Sequence, residues 1–146
     1  MMRYEVQDSD TSFSSRGAIV SDMGTFRTDI EIENPARPGE RQLIRKALVD
    51  TGSELTWIPA PMLHAIGIAE DKRVRFRLAN GIVVERRVGL ARVYAGGTST
   101  GDDVVFAEPG DSLLLGARSL EGLNLRVDPV SRALIDAGPA PAAALA

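Results

Sequence analysis

Turn-forming residues cut this chain into short lengths, and that punctuation restricts it to folds made of many brief strands. Asn34-Pro35-Ala36-Arg37-Pro38-Gly39, Asn80-Gly81, Gly96-Gly97 and Glu108-Pro109-Gly110-Asp111 each interrupt an apolar pattern before a long helix could form. Between the interruptions the pattern alternates. Phe26, Ile30 and Ile32 are apolar while Arg27, Asp29, Glu31 and Glu33 are polar, the period of a half-buried strand. Val74, Phe76 and Leu78 alternate with Arg73, Arg75 and Arg77 before Asn80-Gly81, which reads as a hairpin turn because both residues accept positive φ. A long return strand follows from Ile82 to Tyr94, with a bend expected at Gly89 and a turn at Gly96-Gly97. Further strands are expected at Leu43–Val49, Leu55–Ile58, Val104–Phe106, Leu123–Val127 and Ala133–Ile135, with short helices at Pro61–Ile66 and Arg118–Gly122. The whole predicts an all-β fold, a small closed barrel with one or two short helices.

A chain of 146 residues suits one domain with a core of its own. Residues 1–22, polar and rich in Ser and Asp, read as a flexible N-terminal extension, 23–137 as the folded domain, and 138–146 as a disordered tail. The absence of cysteine excludes disulfides, thiol nucleophiles and cysteine metal sites, and fits a reducing compartment. The acidic, polar start Met1-Met2-Arg3-Tyr4-Glu5 is unlike a signal peptide. No apolar run approaches the roughly 20 residues of a membrane span, so a cytoplasmic protein is expected.

Nucleic acid is not an expected partner. Net charge is -3, and the arginines between Arg73 and Arg92 alternate with apolar residues as on a solvated sheet face. They could still favour acidic substrate segments. His64 is the only histidine, so neither a histidine metal cluster nor a Ser-His-Asp triad can form within one chain; it reads as a helix-surface residue. Gly96-Gly97 lacks the lysine and spacing of a phosphate-binding loop. Trp57 reads as core or cleft wall.

Asp50 is the residue in an odd place. It follows the apolar run Ala47-Leu48-Val49, expected to be buried on both faces, and sits in the turn Asp50-Thr51-Gly52. A carboxylate there needs compensation. The Gly52 and Ser53 amides and the Thr51 and Ser53 hydroxyls are within local reach. As a bare tripeptide, Asp-Thr-Gly is usually a surface turn. Here it ends one strand and precedes another, and Leu113-Leu114-Leu115-Gly116-Ala117-Arg118-Ser119-Leu120 lies downstream as an apolar run, a glycine and a short helix.

This pair of segments, in this order and separated by a hairpin-rich stretch, resembles the retropepsin-like aspartic proteases, the retroviral type with its bacterial members. The resemblance runs from about Gly24 to Asp136. It implies that Asp50 is the catalytic aspartate and that Thr51 bonds across a dimer axis. It implies also that Gly52 lets the substrate backbone approach and that Ser53 supports the loop. Asn80 and Gly81 become the tip of a substrate-covering flap, less rich in glycine than retroviral flaps. Glu54 and Arg118 stand where such proteins often place an ion pair bracing the loop. No cofactor or metal is implied.

The chemistry needs two carboxyl groups around one water, one acting as base and the other as acid, so close that both cannot ionise. This chain has one such loop. Leu134-Ile135-Asp136-Ala137-Gly138 is the other near-match, but it lacks the threonine, a following strand and a later apolar-Gly segment. The second Asp50 is therefore expected from a homodimer partner, with a polypeptide as substrate. Strands around Thr25–Glu31 and Ala133–Ile135 are expected dimer elements, and self-cleavage before Met23 is a further expectation. The alternative is a catalytically silent module used for dimerisation or peptide binding.

Overall fold

The computed structural model describes residues 26–143. The expected extension at 1–22, the self-cleavage point before Met23 and the tail's last residues, 144–146, lie outside them. Nine strands and two short helices occupy the described residues: β1 (Phe26–Glu33), β2 (Arg41–Val49), β3 (Thr56–Pro59), α1 (Ala60–Ala65), β4 (Lys72–Arg77), β5 (Val83–Ala95), β6 (Thr98–Ala107), β7 (Leu114–Leu115), α2 (Ala117–Leu123), β8 (Leu125–Asp128) and β9 (Ala133–Asp136).

The fold is mostly β, as expected. Seven strands form one sheet in the order β1-β2-β7-β3-β6-β5-β4, and β1 also pairs with β5. That extra pairing closes a ring of six strands and leaves β4 attached outside it on β5. Closure works because β5 is long enough to serve two neighbours along one edge. It pairs with β4 through Val83–Val88 and with β1 through Arg92–Tyr94. At Gly89, between the two stretches, an added Cβ would lie 2.2 Å from the Ala69 carbonyl oxygen. Close approach is what this glycine permits.

Where a strand is apolar without interruption, each face has its own core. Ala47 and Val49 of β2, Ile58 of β3, Val104 and Phe106 of β6 and Leu115 of β7 join one cluster with Ile30, Ile32, Ile44, Val93, Leu63 of α1, and Leu120 and Leu123 of α2. Their chain neighbours point the other way. Trp57, Val105, Ala107 and Leu114 form a second cluster with Leu55 and Val88, against which Leu48, Val74, Phe76, Leu78 and Val84 pack. The expectation of a strand buried on both faces at 47–49 holds, since Ala47 and Val49 are fully buried and Leu48 is half-buried.

The hairpin between β4 and β5 departs from the two-residue turn expected of Asn80-Gly81. Gly81 alone of the pair has positive φ, at 87°. The Gly81 amide donates to the Leu78 carbonyl at 2.9 Å, and the Leu78 amide donates to Ile82 at 2.8 Å. Ala79 thus joins the loop, a three-residue connection with glycine at its left-handed end. Strand β6 is also longer than the expected Val104–Phe106. Its polar first half, Thr98–Asp103, pairs residue for residue with β5 across the Gly96-Gly97 turn.

Candidate active site

Asp50 lies where the sequence placed it, just beyond β2. The last residues of β2 are held in parallel by β7, with Leu48 opposite Leu114 and Val49 opposite Leu115. The Asp50 amide continues that ladder, donating to the Leu115 carbonyl at 3.0 Å. The chain then turns. The Gly52 amide donates to Asp50 Oδ1 at 2.9 Å and the Ser53 amide to the Asp50 carbonyl at 3.2 Å. A Cβ on Gly52 would stand 3.2 Å from that same Oδ1, so a side chain there would shift the carboxylate by a few tenths of an ångström. Asp50 is half-buried, and Thr51 and Gly52 are exposed. Of the four local donors expected for the carboxylate, the Gly52 amide reaches it. The Ser53 hydroxyl instead donates to the Leu55 carbonyl at 2.9 Å, tying down the start of the next strand.

The segment after β7 supports the loop from below. The Ala117 amide donates to the Ser53 carbonyl at 2.8 Å and the Arg118 amide to the Glu54 carbonyl at 2.9 Å. Gly116 is pressed against the Leu55 main chain. Backbone contacts therefore join Arg118 to Glu54, but the expected side-chain pair is corrected. The Arg118 guanidinium turns to Asp102 at 3.3 Å and Asp103 at 3.6 Å, because both carboxylates rise from the adjacent β6. Asp102 has only 7% of its surface exposed and, with buried Thr56 and Ser119, makes a polar row that the sequence reading did not single out. These three residues lie far apart in sequence and carry no local motif.

Asn80 and Gly81 are exposed at the hairpin tip. The Asn80 side chain accepts from the Ile82 amide at 3.0 Å, and Arg77 donates to the Gly81 carbonyl at 3.2 Å. Below the tip, Phe76 meets Trp57 edge-on with ring centroids 5.0 Å apart. Trp57 is thus core beneath the hairpin. The second cluster connects the hairpin to Leu48 and Leu55, which flank the Asp50 loop. At the hairpin's base Arg86 donates twice to Asp111, at 2.7 and 2.9 Å, bridging β5 to the turn ahead of β7.

The Asp136 segment copies one detail of the loop: the Gly138 amide donates to Asp136 Oδ1 at 2.7 Å. Asp136 ends the separate two-stranded sheet of β8 and β9, which has no third strand among the described residues. His64 is on the surface of α1, paired with Glu70 at 2.8 Å, and that bond first, with Arg87 nearby, holds the Glu70 carboxyl below its usual range. A groove of about 460 Å³ lies away from Asp50, lined by Glu31, Arg41, Tyr94 and the Gly96-Gly97 turn among others. Among the described residues no group of His, Asp or Glu is arranged to hold a metal ion. No helix there is long and apolar enough to cross a membrane.

Residues 41–122 match the family model described as gag-polyprotein putative aspartyl protease. Among curated proteins, none matches the chain. The matched stretch begins with β2 and ends in α2, so it takes in the Asp50 loop, the β4–β5 hairpin and the Gly116 support.

Proposed function

The chain belongs to this retropepsin-like family of aspartyl proteases, and on that premise we propose that it is an aspartic endopeptidase working as a homodimer. Each protomer contributes Asp50. One carboxylate takes a proton from a water placed between them while the other, protonated, gives its proton to the scissile carbonyl. The observation that carries the reading is the loop itself. A single carboxylate stands at the end of a doubly buried strand, one oxygen held by the Gly52 amide, beside an exposed Thr51 and Gly52. An open half-site of this kind suits completion by a second copy across a two-fold axis.

In this proposal Thr51 bonds to the opposite loop, Gly52 accepts the substrate backbone, and Ser53 fixes the loop's exit. Asn80 and Gly81 close over an extended peptide that pairs as a β-strand. The peptidase unit spans 23–137, and a chain without cysteine is at home in a reducing cytoplasm. We assign the dimer contact to the segments around Thr25–Glu31, of which Thr25 lies outside the described residues, and Ala133–Ile135. A chain ending at Val130 is expected to sediment as a monomer; an intact dimer would remove that assignment.

The test of function is Asp50→Asn against a peptide library at mildly acid and neutral pH, with and without a statine-type transition-state analogue. Cleavage should vanish while fold and dimer persist. Unchanged turnover in the variant would refute the role of Asp50. A demonstrated wild-type dimer that cleaves nothing under any condition would instead establish a silent peptide-binding or dimerisation module.

A further inference from the structure

A row of buried polar groups begins beneath the Asp50 loop and ends on β6. The Gly116 amide donates to Thr56 Oγ1 at 3.0 Å, Thr56 Oγ1 lies 2.7 Å from Ser119 Oγ, and the Ser119 hydroxyl donates to Asp102 Oδ2 at 2.9 Å. Chemistry fixes the direction of the central bond. An ionised carboxylate only accepts and an amide N–H only donates, so Ser119 spends its one proton on Asp102 and must accept from Thr56. Thr56, its proton so committed, is left to accept from Gly116. Thr56 and Ser119 have no exposed surface and Gly116 is buried, so water does not compete. The second oxygen of Asp102 is occupied as well, by the Asp103 amide at 2.8 Å and Arg118 at 3.3 Å.

We propose that Asp102 is a positioning residue for the Asp50 loop, acting through Ser119 and Thr56 on the Gly116 amide. Gly116 is the point at which this control matters. The residue before it, Leu115, receives the Asp50 amide, and the residue after it, Ala117, donates to Ser53. Both ends of the loop are therefore registered against one short segment, and the relay sets where that segment sits relative to β3 and β6. Hydrogen bonds in a row polarise one another, so the carboxylate at one end strengthens the bond at the other. Loss of any member leaves a buried donor or acceptor without its partner. The kinetic half of this inference rests on the peptidase reading; the structural half does not.

Four variants of the full-length chain test it: Thr56→Val, Thr56→Ser, Asp102→Asn and Asp102→Ala. Amide hydrogen exchange reads the relay without reference to catalysis. Thr56→Val and Asp102→Ala should accelerate exchange at Gly116 and Ala117 while leaving the amides that pair β4 with β5 unchanged. Thr56→Ser, which keeps the hydroxyl, should stay near wild type, whereas Asp102→Asn, whose NH2 must face the Ser119 hydroxyl or the Asp103 amide and Arg118, should fall between wild type and Asp102→Ala. In peptide cleavage, Thr56→Val and Asp102→Ala should lower kcat by about tenfold to a hundredfold, the scale of a displaced catalytic group, with KM little changed. Thr56→Ser should restore kcat.

Unaltered Gly116 exchange in Asp102→Ala would overturn the proposal, as would equal acceleration throughout the fold or a loss confined to KM. If Asp102→Ala does not fold, the near-isosteric Thr56→Val and its serine counterpart decide the matter alone. If the wild-type chain cleaves nothing, the peptidase reading fails by itself, and the exchange pattern still upholds or overturns the relay.

Discussion

Gly116 has no room for a side chain. A Cβ there would lie 2.4 Å from the Leu55 carbonyl oxygen and 2.6 Å from its carbon, main-chain atoms that cannot swing aside. Gly116→Ala should therefore lower stability by about 1–3 kcal/mol, read as a drop in the thermal midpoint. Gly101 provides the control. Its nearest contact would be Arg92 at 4.0 Å, so alanine there should be neutral or stabilising by less than about 1 kcal/mol. Asp50 was legible because a carboxylate after an unbroken apolar run conflicts with local hydrophobic logic, and functional sites break such logic. Thr56, Ser119 and Asp102 were not legible. Each is an ordinary polar residue in its own stretch, and their burial arises only when β3, β6 and α2 pack together. The Glu54–Arg118 pairing failed for a related reason: spacing could not reveal two acids on β6 competing for the same guanidinium.

Among the elements, the β4–β5 hairpin is held at its base by Arg86 and Asp111, whose side chains are 14% and 7% exposed. Without Asp111 the sheltered Arg86 guanidinium keeps only the Glu85 carbonyl at 3.0 Å and the more distant Glu108 carboxylate at 3.7 Å. Asp111→Ala should cost about 2 kcal/mol and accelerate amide exchange along β4 and the first half of β5. The ring closure between β1 and β5 has its own tie. The Glu33 carboxylate accepts from the Tyr94 hydroxyl and the Gly39 amide, both at 2.6 Å. The Tyr94 bond, followed by that of Gly39, lowers the Glu33 pKa below its ordinary 4.5. A depressed carboxyl pKa stabilises the fold fully above the unfolded value and loses that effect as pH falls through the folded value. Tyr94→Phe should therefore lower the thermal midpoint at neutral pH, by an amount that shrinks as pH drops below 4.5; a gap that widens on acidification would contradict this assignment. Strand positions were readable from alternation and turn residues, but the start of β6 was not. Thr98–Asp103 is too polar to announce a strand and becomes one because the Gly96-Gly97 turn delivers it alongside β5.

For the whole molecule, the single chain makes a closed six-strand ring with its own two-sided core, yet presents one acid on an open loop. The all-β class followed from punctuation and alternation. So did a closed barrel, but not which strands close the ring, since the β1–β5 pairing joins strands whose sequences carry no mark of each other. Two such rings are proposed to supply one Asp50 each to a shared site. Mixing wild-type and Asp50→Asn chains in equal amounts, letting the protomers exchange and measuring peptide cleavage per total protein tests this. With a shared site, only pairs of two wild-type chains are active, so activity should settle at roughly a quarter of the all-wild-type value and follow the square of the wild-type fraction. Activity at half that value, falling in direct proportion to the wild-type fraction, would show that each chain works alone and would contradict the account.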